Sequence, residues 1–147
     1  MLEQYKLYVE MADKISERRS QTNIFYVTLL SAILAVLSVI FEKDQISSFY
    51  ALILLLISLL GLLLCLIWYY NITSYSQLNS GKFKVIHEME QQLPFPCYAR
   101  EWDVLKKGKD KKKYFPLTHV EGWIPFILSV PYLILLVYTL LLILPQI

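Results

Sequence analysis

Few side chains in this sequence have both the type and the spacing that chemistry requires. His119-Val120-Glu121 comes nearest. It is the His-x-Glu half of a zinc deaminase signature, which supplies one metal ligand and a proton-carrying carboxylate. The other half, Pro-Cys-x-x-Cys, is missing: Pro96-Cys97 precedes the pair and no second cysteine follows it. His87-Glu88 is a second isolated pair, with too few neighbouring ligands for a metal. Ser80-Gly81-Lys82 lacks the upstream glycine and the preceding strand of a phosphate-binding loop. No Gly-x-Ser-x-Gly and no His-Glu-x-x-His is present. The residues therefore predict no catalytic centre, no metal and no cofactor, and a protein that is not an enzyme.

One charged cluster remains. Six of the eight residues 106–113 are lysine: Lys106, Lys107, Lys109, Lys111, Lys112 and Lys113. Near a bilayer, each lysine attracts anionic headgroups by about 1 kcal/mol. Anionic membrane lipid is thus the expected partner of this run. Nucleic acid is the weaker alternative and is not expected. The plainest reading is a solvated loop that fixes topology.

The elements that position these residues follow from the distribution of charge. Of 147 residues, 56% are hydrophobic and only 18% charged. All 14 Lys and Arg and all 12 Asp and Glu lie outside three windows: Ile24–Phe41, Phe49–Tyr70 and Trp123–Leu144. A helix of about 20 residues crosses the roughly 30 Å hydrocarbon layer. Runs such as Ala51–Leu60 are continuous, which excludes the alternating pattern of barrel strands. Only a helix satisfies its own backbone in lipid, so three transmembrane helices are predicted: residues 24–41, 49–70 and 123–144. The fold class is an all-α membrane protein, and a soluble single domain is excluded. Residues 1–23 are polar and show no signal-peptide cleavage pattern.

Lys and Arg also set the orientation. Residues 1–23 hold Lys6, Lys14, Arg18 and Arg19, and residues 71–122 hold nine more, whereas the loop 42–48 holds only Lys43. The positive-inside rule places the first two segments in the cytoplasm, with the N-terminus inside and the C-terminus (145–147) outside. Phe25, Tyr26, Trp68, Tyr69, Tyr70 and Trp123 lie where an interfacial aromatic belt belongs. On this topology the Asn71-Ile72-Thr73 sequon faces the cytoplasm and is discarded. Cys65 lies mid-span and Cys97 in the reducing cytoplasm, so the two do not pair.

The cytoplasmic layer is predicted to be helical. Leu2, Tyr5, Val9, Ala12 and Ile15 recur at helical spacing, and no Gly or Pro separates them from the first span, so one helix is expected over residues 2–41. The second span is expected to run to Asn79-Ser80-Gly81 and resume as Lys82–Leu93, where Pro94 and Pro96 stop it; a short helix follows around Ala99–Lys107. Such small pieces bury too little surface to stand alone, so their apolar stripes require a partner. Two stripes of small residues have the spacing for close helix approach in lipid: Thr28, Ser31, Ala35 and Ser38 in the first span, and Ser58, Gly61 and Cys65 in the second. Packing within one subunit and packing between subunits both remain open. Glu121, at the start of the third span, is placed to pair with a basic residue of the cytoplasmic layer. Pro125 and Pro131 offer kinks in that span, and Ser129, Tyr132 and Thr139 its polar face. No ionisable residue lies within a span, which argues against a pump or carrier.

Two long segments, 5–23 leading into the first span and 74–90 after the second, carry a resemblance. So do Arg100-Glu101-Trp102 and the run Tyr114, Pro116, Thr118, Glu121. Together they resemble the RipA-family octameric membrane proteins over nearly the whole chain. The resemblance implies a bacterial cytoplasmic-membrane protein assembled as a homo-octamer, and it brings no catalytic residues. The matching polar positions Glu17, Arg18, Arg19, Asn23, Asn79, Lys82, Lys84, Glu88 and Glu90 are the candidate subunit contacts, with Arg18 or Arg19 facing Glu88 or Glu90. The expected function is that of a non-enzymatic homo-oligomeric scaffold or regulator in the bacterial envelope. The alternative is an oligomeric pore that alters permeability in stress or defence.

Overall fold

The computed structural model describes residues 2–41, 48–105 and 117–144. All four elements in them are helices: α1 (Leu2–Phe41), α2 (Ser48–Glu90), α3 (Cys97–Val104) and α4 (Leu117–Ile143). Three of these, α1, α2 and α4, are long and apolar enough to cross a membrane. The chain is an all-α membrane protein.

α1 runs 40 residues without a break, as the absence of Gly and Pro predicts. α2 departs from expectation by continuing through Gly81 for a total of 43 residues. One glycine costs a helix about 1 kcal/mol, too little to end it when the flanking turns form. α2 stops at Glu90, three residues short of the expected end. Gln92 and Leu93 donate back to the carbonyls of Met89 and Glu90, turning the chain ahead of Pro94. α3 begins two residues earlier than expected, directly after Pro96, and closes at Leu105. α4 starts at Leu117, ahead of the apolar window, and passes through both Pro125 and Pro131. Transmembrane helices tolerate such prolines because neighbouring groups take up the freed backbone carbonyls.

The chain divides into two compact units. The first contains residues 1–21 and 72–121, and the second residues 22–71 and 122–147.

In the second unit, Leu37, Leu54 and Leu135 form a core cluster drawn from α1, α2 and α4, with Ile33, Leu34, Tyr50 and Ile57 against it. Leu30, Trp68, Tyr132, Ser58 and Thr139 are fully buried. α2 and α4 approach closely at Gly61. A Cβ at Gly61 would overlap the Tyr132 ring, so only glycine lets the ring lie on the α2 backbone. The Tyr132 hydroxyl donates to the Leu30 carbonyl at 2.7 Å, which joins α4 to α1 as well. Trp68 stacks on Tyr26 with ring centroids 5.6 Å apart, and its Nε1–H donates to Asn23 Oδ1 at 2.9 Å. Asn71 Nδ2 donates to the Tyr26 hydroxyl. Around this core the outward side chains, such as Leu56, Leu63, Val130 and Ile134, are exposed and apolar, as a lipid-facing surface requires.

In the first unit, Ala12, Ile15, Ile72 and Ile86 are buried. Glu90 is buried with them, at 1% exposure, and a carboxylate in that position requires partners.

Candidate functional site

Nothing in the described residues gathers three His, Cys, Asp or Glu side chains into a metal site. The polar residues instead form three local arrangements in the first unit and one network in the second.

The first arrangement surrounds Glu90. Its Oε1 accepts from the Tyr5 hydroxyl at 3.0 Å and from the Tyr98 amide at 2.7 Å, and its Oε2 accepts from the Ala99 amide at 2.9 Å. Tyr98 and Ala99 lie in the first turn of α3, whose N-cap residue, Pro96, has no side-chain donor or acceptor to offer. The opening amides of a helix need acceptors, and a carboxylate at the positive end of the helix dipole is a strong one. Glu90 therefore caps α3 from the end of α2 and ties α1 to both through Tyr5. Burial, then the negative charges of Asp13 and Glu101, raise the Tyr98 hydroxyl above its ordinary pKa and keep it protonated. Glu90, one of the candidate subunit contacts, has both of its oxygens engaged by donors of its own chain.

The second arrangement is the ion pair between Arg19 Nε and Glu121 Oε2 at 3.3 Å. It gives Glu121 the basic partner expected of it, within the chain. Lys82 is likewise occupied, its ammonium 5.0 Å from the Tyr8 ring centroid.

The third arrangement is a cavity of about 520 Å³ between α2 and α3, lined by Asn79, Phe83, Lys84, His87, Glu101 and Trp102 among others. Sequence reasoning singled out Asn79 and Lys84 but did not find the cavity. Its walls come from residues 79–87 and 98–105, which the Pro94–Pro96 turn brings together.

In the second unit, Asn23 Oδ1 accepts from Trp68 Nε1–H within the chain. Glu17 is exposed and accepts from Gln21 one turn on. Arg18, Lys84 and Glu88 are exposed as well. The lysine run, Lys106 to Lys113, lies outside the described residues, and so do the side chain of His119 and any structure of Tyr114 and Pro116. Cys65 is buried and Cys97 exposed, both as free thiols.

The two small-residue stripes separate. Ser58, Gly61 and Cys65 of α2 face the interior, whereas Thr28, Ser31, Ala35 and Ser38 of α1 are all exposed. No curated protein and no solved structure matches the sequence. The model of the Octameric membrane protein family matches residues 2–141, almost the full length, and the chain belongs to that family.

Proposed function

We propose that the protein is a non-enzymatic homo-octameric scaffold of the bacterial cytoplasmic membrane, with its polar unit on the cytoplasmic side. The observation that carries this reading is the separation of the two stripes. In α2, Gly61 lies against Tyr132 of the same chain and Ser58 and Cys65 are buried, while the small residues of α1 present an outward face of Thr28, Ser31, Ala35 and Ser38. In lipid, apolar surface supplies no drive to associate, and small residues permit the close helix contact that does. A family whose members are octameric supplies the second copy that such a face requires.

Arg18 and Glu88 are the remaining charge pair for contact between subunits, once Arg19 and Glu90 are assigned within the chain. Anionic lipid at Lys106–Lys113 is the expected bilayer partner.

Scaffold is favoured over pore by the hydroxyl groups. Ser38, Ser58, Ser129 and Thr139 donate to carbonyls three residues earlier on their own helices, and Tyr132 donates to Leu30. Hydroxyls used in this way contribute little to a wet channel lining. The test is ion conductance of the reconstituted full-length oligomer in planar bilayers. The scaffold reading expects no reproducible unitary currents. Stepwise currents that change selectivity with Ser31→Ala would replace it with the pore.

A further inference from the structure

We infer that the cavity between α2 and α3 binds a small planar aromatic ligand that carries an anionic group. Its volume of about 520 Å³ falls in the range of small-molecule sites. Three aromatic side chains line it: Phe83, Tyr98 and Trp102. Phe83 and Tyr98 meet edge to face, with centroids 5.5 Å apart, which leaves ring surface for a flat guest. Trp102 keeps 40% of its surface exposed, unusual for the largest apolar side chain in an extramembrane helix.

The polar groups determine what the guest must carry. Lys84 and His87 stand on the α2 wall and Glu101 on the α3 wall, and among the described residues none of the three has an ion-pair partner. The Lys84 ammonium favours an anion on the α2 side of the cavity. Glu101 is an acceptor for a ring N–H or amino group. Asn79 also lines the cavity, with its Oδ1 closed off from solvent and without a hydrogen-bond partner among the described residues. A buried acceptor left unmade is costly, so a turn of the Asn79 amide that brings this oxygen to a donor on the guest is favoured. Ring, edge donor and anion together describe two kinds of molecule, a nucleoside phosphate or an aromatic carboxylic acid with a ring N–H.

Glu90 makes the site stiff. Its carboxylate fixes the first turn of α3, so the α3 wall is set in place before any guest arrives.

The test is calorimetry on the full-length oligomer in phosphatidylcholine nanodiscs, with AMP, indole-3-acetate, adenosine and inorganic phosphate as probes. Saturable binding of AMP, of indole-3-acetate or of both is expected, and which one binds identifies the source of the chemistry. Lys84→Gln should weaken that binding about tenfold, one decade in Kd, with adenosine unaffected. Phe83→Ala should weaken it at least as much, in protein whose helicity and oligomer mass are unchanged. Three results would overturn the site: neither aromatic anion binding at millimolar concentration, binding unaltered by both substitutions, or phosphate alone binding as well as AMP.

Discussion

The two units of this chain hold their helices together by opposite means. In the unit of residues 22–71 and 122–147, the decisive contact is one of shape: a glycine lets an aromatic ring lie against a helix backbone. The polar bonds there, Trp68 to Asn23 and Tyr132 to Leu30, join groups that are already packed. In the unit of residues 1–21 and 72–121, the decisive contact is one of charge. A single buried carboxylate gathers α1, the end of α2 and the start of α3. The difference follows from the surroundings. Where the medium is as apolar as the side chains, burial of apolar groups yields nothing and helices associate through close van der Waals contact. Where water is present, a short helix without a cap of its own is held by an ionised acceptor instead.

Substitutions can break this contrast or sharpen it. The largest effect is expected at Gly61, where Gly61→Leu drives a side chain into the Tyr132 ring. Overpacking of a rigid contact costs about 3 kcal/mol or more, enough to prevent recovery of folded oligomer from mild detergent. Normal yield and melting temperature would show that α2 and α4 do not depend on shape. Next comes Glu90→Ala, which leaves the Tyr5 hydroxyl and two α3 amides without their acceptor. A loss of about 3 kcal/mol is expected in this unit alone. Hydrogen exchange should accelerate at Tyr98 and Ala99 and stay unchanged around Leu54 and Leu135.

Trp68→Phe keeps the ring stacked on Tyr26 and removes only the bond to Asn23. About 1 kcal/mol is the expected cost, in line with side-chain hydrogen bonds at membrane depth. A much larger loss in thermal unfolding would move the second unit toward polar control. The smallest effect, and one of opposite sign, belongs to Gly81→Ala. Nothing lies within 4 Å of the new methyl group. Helix propensity alone should then stabilise α2 by up to about 1 kcal/mol, read as a higher melting temperature. Gly61 and Gly81 thus contrast a glycine required by contact with one that is merely tolerated.

The spans were legible because lipid excludes charge, and three charge-free windows mark where it acts. The length of α1 was legible from its lack of breakers, and a basic partner for Glu121 from the position of an acid at the start of a span, but not that Arg19 is that partner. The continuity of α2 was not, because a local breaker signal at Gly81 carries less energy than the turns on either side. The role of Glu90 was hidden for a different reason. It caps a helix that begins seven residues later, so no capping pattern at Pro96-Cys97 marks it, and the same residue type at the same place reads equally well as a surface contact. The intrachain partner of Asn23 was hidden too: Trp68 is 45 residues away and is known only once α1 and α2 lie side by side. The α2–α3 cavity depends on how sharply the Pro94–Pro96 segment turns, which composition does not specify. The exposure that separates the two small-residue stripes is also a property of the folded chain, since their sequence spacing is the same.

The central claim is that the small residues of α2 serve the fold and those of α1 serve assembly. Native mass spectrometry of the Ala35→Leu variant, released from lipid nanodiscs, tests it most directly. The account predicts eight subunits for the unsubstituted protein and a shift to monomers for Ala35→Leu, with the near-ultraviolet signal of the Tyr26–Trp68 stack retained. An unchanged octamer carrying leucine at that position would contradict it.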